Sequence, residues 1–277
     1  MGNIRDRVVN GSRLSDGTCN KTASISELNC ASSLYMSLMA RHCKMNDLVF
    51  KASGDNHKAV KVLDIGCSNG AAYRLYTSKN FQSPGRKPID YIGVDLDEKQ
   101  LQYAIDECAK IKSSRFKHQI VHADITEPYT WVPEGWKADI IWYTEVIEHV
   151  PREKAHLTLK HALDVSHDDT IMYLATPATL DGNLVWPDSH DWEYTREELA
   201  QVLDEQGWQV IDMYGVDADW QVARKMLRET NKPMFDLYET LRKRIGSPLA
   251  AAAVQALCPE VCRDLAWICK PKPIQLI

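Results

Sequence analysis

The chain has 277 residues, of which 44% are hydrophobic and 26% charged, a globular balance rather than a disordered one. Its 33 basic and 38 acidic residues give a formal net charge of -5, which excludes a uniformly basic nucleic-acid coat but leaves local basic patches open. The longest apolar run, residues 249–257, is alanine-rich, contains Gln255 and falls well short of the roughly 18 residues that span a bilayer.

Residues 1–23 are polar and aperiodic, and read as a loosely docked arm. Arg5, Asp6 and Arg7 have no apolar stretch behind them, so the N-terminus does not read as a signal peptide, and the expected location is cytoplasmic. Ser24 with Glu27 fits a capping box. The apolar face Leu28, Leu34, Tyr35, Leu38, Met39 and Leu48 then predicts a helix, broken at residues 54–56 by Gly-Asp-Asn. From residue 59 strands and helices alternate. Short buried strands are expected at 59–64, 91–95, 117–122, 139–143 and 171–175, with helices at 98–112 and 152–166. A sixth strand is expected at 208–216 and a seventh at 263–270. Between them lie two or three helices, broken at Pro233 and at Gly246, Ser247 and Pro248. The expected organisation is an arm and lid helix over 1–58, a core over 59–216, a helical insertion over 217–262, and a last strand and tail over 263–277. Strand–helix alternation implies an α/β fold, a mostly parallel sheet with helices on both faces.

Charge divides along the same lines. Residues 1–60 and 216–277 each carry +3, and the segment between them carries -11. A polyanion would meet the ends before the core, although ordinary solvated faces give the same pattern. The eight cysteines at 19, 30, 43, 67, 108, 258, 262 and 269 read as reduced thiols. Cys258, Cys262 and Cys269 lack the C-x-x-C spacing of a zinc site.

The first strand leads into D-I-G-C-S-N-G over residues 64–70. Gly66 and Gly70 permit a tight turn and close approach of a ligand to the backbone. Asp64, just before the first glycine, suits a cationic or hydrogen-bond-donating group better than a pyrophosphate. Asp95 ends the second strand, 29 residues after Gly66, where an acid can accept from ribose hydroxyls. Asp124 follows the third strand, so three carboxylates converge on one sheet edge. The span 66–70 also fits the G-x-S-x-G elbow of a serine hydrolase, but such a serine usually follows several earlier strands, and this one follows the first.

The motifs at 64–70, Gly93 to Asp95 and Ala123 with Asp124 resemble the class I S-adenosylmethionine-dependent methyltransferases over roughly residues 60–216. The resemblance implies a Rossmann-like seven-stranded sheet whose last strand is antiparallel. It implies S-adenosyl-L-methionine as cofactor, with Asp64, Gly66, Ser68 and Gly70 around its methionine end. Asp95 would then bind both ribose hydroxyls, and Asp124 with Ile125 the adenine, with Leu96 a further cofactor-binding residue.

After the fourth strand, T-E-V-I-E-H-V over 144–150 places Glu145, Glu148 and His149 at i, i+3 and i+4. On a helical turn these share one face. Two carboxylates and an imidazole suit Mg²⁺, Mn²⁺ or a similar ion. His190, leaving the same sheet edge after the fifth strand, is the candidate fourth ligand. The E-x-x-E-H pattern with a distant histidine, Thr176 with Pro177, and W-E-Y-T over 192–195 resemble the small-RNA 3′-terminal 2′-O-methyltransferases. The E-V-I-E-H-V stretch is also similar to the ubiquinone-pathway O-methyltransferases, which act on catechol-type rings. Both methylate one of two adjacent hydroxyls. Without a metal, His149 or His190 becomes the general base and Glu145 a helix cap.

The expected activity is O-methylation, of an RNA end or of a small molecule bearing hydroxyls. The alternatives are a metal-independent methyltransferase for a metabolite or nucleotide, and a silent methyltransferase-like binding subunit. In the insertion, Arg224, Lys225, Arg228, Arg242, Lys243 and Arg244 are candidates for phosphate contacts. Tyr214, Trp220, Phe235 and Tyr238 either stack on a ring or pack the helices.

Overall fold

A computed structural model describes residues 33–52, 58–70, 88–179, 184, 190 and 192–273. The strands are β1 (Val60–Ile65), β2 (Ile89–Asp95), β3 (Phe116–His122), β4 (Ala138–Thr144), β5 (Ser166–Thr179), β6 (Tyr194–Thr195), β7 (Trp208–Asp217) and β8 (Asp264–Pro271). The main sheet runs β3-β2-β1-β4-β5-β8-β7, and the two-residue β6 pairs with the end of β5. Strands β1 to β5 are mutually parallel, and β8 runs antiparallel to both β5 and β7. The expected architecture stands, with β6 as an addition.

The strands read as nearly continuous apolar runs because both sheet faces are covered. Val60 and Val62 pack with Ile140 and Trp142 on one face. Leu63 and Ile65 pack with Ile141 and Tyr143 on the other. Helix α1 (Ser33–Ala52) closes the first face with Met45, Leu48 and Val49. On the second face lie α3 (Arg152–Asp164) and α4 (Arg196–Glu205), which contribute Leu159, Leu199 and Leu203. Between β2 and β3, α2 (Glu98–Ala109) starts at Asp97, whose carboxylate accepts from the backbone N–H groups of Lys99 and Gln100 at 3.0 and 3.1 Å. A reciprocal capping box of Thr195 and Glu198 opens α4.

The order of strands reverses between β1 and β4, so a crevice opens at their carboxyl ends. The insertion forms α5 (Trp220–Thr230), α6 (Lys232–Ile245) and α7 (Ser247–Gln255). It begins where β7 ends, and β7 runs in the same direction as β5, so it leaves from the crevice edge. Leu227, Tyr238, Ala250 and Val254 join the same core as β1 and β4, so the insertion shares that core rather than forming its own.

Some boundaries moved. The expected cap at Ser24 and Glu27, and Leu28, lie outside the described residues, where α1 begins at Ser33. Strand β5 extends over 14 residues, because its start pairs with β4 and its end with β6 and β8. Among the described residues, Cys43, Cys67, Cys108, Cys258, Cys262 and Cys269 stand outside any disulfide. No described helix is long and apolar enough to cross a membrane.

Candidate active site

The turn after β1 is built by backbone geometry. Gly66 and Gly70 have φ of +69° and +71°, and Ser68 adopts the left-handed region at +47°. This turn is tied to the second strand. The Cys67 N–H donates to the Val94 carbonyl at 2.9 Å, and the Ser68 N–H donates to Asp95 Oδ2 at 2.8 Å. The other oxygen of Asp95 accepts from the Asp97 N–H at 2.9 Å. Each carboxylate oxygen has two lone pairs, so Asp95 is fixed in place and still able to accept from a diol. Beside it, Leu96 is 65% exposed and presents an apolar surface at the crevice rim.

Asp64 is 2% exposed and accepts from the Tyr91 hydroxyl at 2.7 Å. Burial pushes its carboxyl up to about 7, with the Tyr91 hydrogen bond opposing and Asp95 adding to the shift. Asp124 behaves differently. Its Oδ1 accepts from the backbone N–H and the hydroxyl of Thr126, both at 2.8 Å, and these bonds hold it below the usual carboxylate range. The half-buried Ile125 packs against the core beside it. All eight expected cofactor residues therefore lie on or beside the carboxyl ends of β1, β2 and β3.

The segment after β4 departs from the expected helical face. Glu145 has φ of +56°, and helical geometry starts only with the 3-10 turn Ile147–His149. The reason is that the Glu145 N–H still bonds the Ala175 carbonyl of β5 at 2.8 Å, so the chain leaves the sheet after Glu145, not before it. Glu148, His149 and His190 nonetheless come together, with one ligand atom from each lying within 4.8 Å of the others. Glu145 stands outside this group. Its Oε1 is 2.6 Å from a terminal guanidinium nitrogen of Arg41.

Glu148 and His190 are held from behind. Glu148 is fully buried, and its Oε2 accepts from the Thr176 hydroxyl at 3.0 Å. Its Oε1 is buried without a hydrogen-bond partner. The rings of His149 and His190 meet edge to face, 4.9 Å apart. His190 Nδ1 is 2.7 Å from Glu193 Oε1, and Glu193 is 1% exposed. That contact sets the ring's orientation. The 190s segment is anchored by the Trp192 N–H on the Glu148 carbonyl at 3.3 Å and by Arg152 lying 3.8 Å over the Trp192 ring.

The electrostatics are unusual. Burial drives the Glu148 carboxyl well above its ordinary range, and Glu145 adds repulsion. Asp264, at the start of β8, is raised well above its range by burial and then by Glu145. Its Oδ1 is also buried without a partner, as is Nε of Arg41. Burial raises half-buried Glu145 as well, with Arg41 opposing. Nearby Asp217 and Glu193 are paired, with Arg263 and His190 respectively. Glu145 and Asp264 thus lie in the field of one guanidinium, and unpaired buried carboxylates are costly.

Arg41 and Asp264 had no functional signal in the sequence, and Glu193 figured only within the W-E-Y-T stretch, with no role of its own. Arg41 lies 104 residues from its partner, and Asp264 opens a strand that reads only as sheet. The aromatic residues of the insertion pack rather than form an open stacking surface. Tyr238 is 3% exposed with its ring 4.6 Å from that of Trp220, and Phe235 lies against the core. Arg224 and Arg228 lie over Phe235 at 5.8 and 5.1 Å.

A glycine turn after β1, an acid ending β2 and an acid after β3, on a sheet with this strand order and an antiparallel β8, define an S-adenosylmethionine-dependent methyltransferase. The sequence model of the family described as a methyltransferase domain matches residues 38–213, and the chain belongs to that family. Solved structures share the fold. The cyclase SpnF superposes with a TM-score of 0.52 at 17% identity, over 83% of this chain and 80% of that one. The cyclopropane synthase MmaA2 from Mycobacterium tuberculosis gives 0.52 at 12% identity, over 82% and 83%. The small RNA methyltransferase HEN1 gives 0.52 at 17% identity, over 83% of this chain and 25% of that one. No curated protein matches the chain by sequence.

Proposed function

We propose that the enzyme methylates the oxygen of one of two adjacent hydroxyls, and that Glu148, His149 and His190 hold a divalent cation, Mg²⁺ or Mn²⁺, beside the acceptor, with Glu145 as a fourth ligand. The observation that carries this reading is the meeting of three ligand atoms within 4.8 Å, one of them from a carboxylate whose Oε1 is buried and unpartnered. The donor set of carboxylate and imidazole suits these ions. Such a cation polarises a bound hydroxyl and lowers its pKa.

The chain's own residues do the rest. Asp95 accepts from the ribose hydroxyls, and Asp64 meets the cationic methionine end. Ile125 and Leu96 bracket the adenine. Thr176 and Glu193 orient Glu148 and His190 through the hydrogen bonds given above. In the transfer, a carbon–oxygen bond forms as the carbon–sulfur bond breaks, the acceptor proton passes to water at the exposed His149 side, and S-adenosylhomocysteine is released. The alignment of donor and acceptor supplies most of what the protein adds.

The acceptor carries a vicinal diol, as a ribose 3′ end or a catechol ring does. The likeness to a small RNA methyltransferase supports the ribose end. So does the charge of the insertion at the crevice edge, where residues 220–245 hold seven basic and three acidic side chains. Calorimetric titration of Mn²⁺ into the wild-type protein and Glu148→Ala tests the reading. Binding to the wild type and not to the variant is expected. Equal binding to both, or binding to neither, contradicts it.

A further inference from the structure

We propose that Arg41 is an internal cation that competes with the divalent metal for Glu145, and that Asp264 receives Arg41 when Glu145 turns to the metal. The inference rests on the metal reading above and adds a two-position switch to it. Of the four expected ligands, Glu145 stands outside the three-residue group and is held in an ion pair whose guanidinium side chain is 11% exposed. The pair is not a fully satisfied structural anchor, because Arg41 Nε has no partner. Asp264 lies in the field of Arg41, Glu145 and Glu148, and its Oδ1 is likewise buried without a partner.

The register explains the proximity. Asp264 pairs with Pro177 on β5, next to Thr176, whose hydroxyl holds Glu148. Asp264 and the Glu148 anchor are therefore neighbours on one sheet edge, and Arg41 reaches that edge from α1. One guanidinium serves one of two carboxylates. In the protein without metal it serves Glu145 and leaves Asp264 unpaired. With metal on Glu145, the guanidinium and Asp264 satisfy each other, so no buried charge is left alone. Arg41 sits on α1, which covers one face of the sheet, and reaches Glu145 at its carboxyl end, so metal loading and the position of α1 are coupled, and the coupling is reciprocal.

Calorimetric titration of Mn²⁺ into the full-length wild type, Arg41→Met, Asp264→Asn and Glu145→Gln tests this. Arg41→Met is expected to bind Mn²⁺ about tenfold more tightly than the wild type, within the usual range of coupling between sites. Asp264→Asn is expected to bind it several-fold more weakly, since Arg41 then has no second partner. Glu145→Gln is expected to bind weakly and to erase the effect of Arg41→Met in the double variant. Hydrogen exchange gives a second reading that needs no Arg41 variant to fold. Mn²⁺ should change protection of α1 in the wild type and leave it unchanged in Glu145→Gln. If the wild type binds Mn²⁺ but Arg41→Met binds no more tightly and α1 exchange does not respond, the switch is wrong and the metal site stands. If none of the proteins binds Mn²⁺, both readings fall.

Discussion

A Cβ placed on Gly66 would lie 2.1 Å from Val146 Cγ2, so the cofactor turn after β1 and the segment carrying Glu145 and Glu148 are in direct contact. The cofactor site and the candidate metal site are therefore two walls of one crevice. Both are set by the strand order, which makes β1 and β4 neighbours.

Gly66→Ala should damage both walls. The added methyl overlaps Val146, and φ of +69° is unfavourable for a residue with a Cβ. A loss of roughly 2–4 kcal/mol of stability is expected, as for other overpacked or strained sites. Thermal melts should show it, and S-adenosylmethionine should restore little of the loss, because the turn no longer fits the ligand.

Glu148→Gln separates stability from function. Burial, with Glu145 adding repulsion, raises the Glu148 carboxyl well above its usual range and so favours the neutral acid in the metal-free protein. The amide is a near isostere of that form. The expected stability change is within about 1 kcal/mol. Mn²⁺ affinity should fall by more than about 100-fold, beyond what loss of an outer partner causes. Melting with and without Mn²⁺ reads both effects.

Glu193→Gln tests orientation. Glu193 holds His190 Nδ1 at 2.7 Å, and its charge also adds to the upward shift of Glu148. Its replacement should weaken Mn²⁺ binding by about 10–100-fold, as outer-shell changes do, without abolishing it. Unchanged affinity would mean that the histidine is held by packing alone.

Asp64 gives a pH signature. Its folded pKa of about 7 lies above the unfolded value, so the native state holds the extra proton between roughly pH 4 and 7. The stability tied to Asp64 is therefore present at the acid end of that window and is lost as pH rises through 7. A cationic methionine end favours the ionised carboxylate. S-adenosylmethionine should accordingly bind about tenfold more tightly at pH 8 than at pH 6. The wild type compared with Asp64→Asn, by melting and by calorimetry, isolates both effects, since the variant should lose this dependence.

Much of the crevice was legible because parallel strands put their carboxyl ends on one edge. Once 64–70, Asp95 and Asp124 were placed at strand ends, their convergence followed. Glu148, His149 and His190 were legible for the same reason. Glu145 was misplaced because spacing alone assumes that a helix starts there, while its φ of +56° and one backbone hydrogen bond to Ala175 hold it just past the end of β4. Arg41 and Asp264 were not legible at all. Their importance lies in unmet hydrogen bonds and shared burial, and neither leaves a spacing pattern. The aromatic residues of the insertion showed the opposite ambiguity, since ring-stacking and helix-packing residues have the same composition, and only burial of Tyr238 decided for packing.

The most direct test of the central claim follows label from methyl-tritiated S-adenosylmethionine into paired acceptors, a short RNA with a 2′,3′-diol end against its 3′-deoxy counterpart, and catechol against phenol, with Mn²⁺ or with EDTA. Label should enter a diol acceptor, should not enter its single-hydroxyl counterpart, and should be lost with EDTA or in Glu148→Ala. Equal labelling of diol and single-hydroxyl acceptors, or labelling that persists in EDTA, would contradict the account.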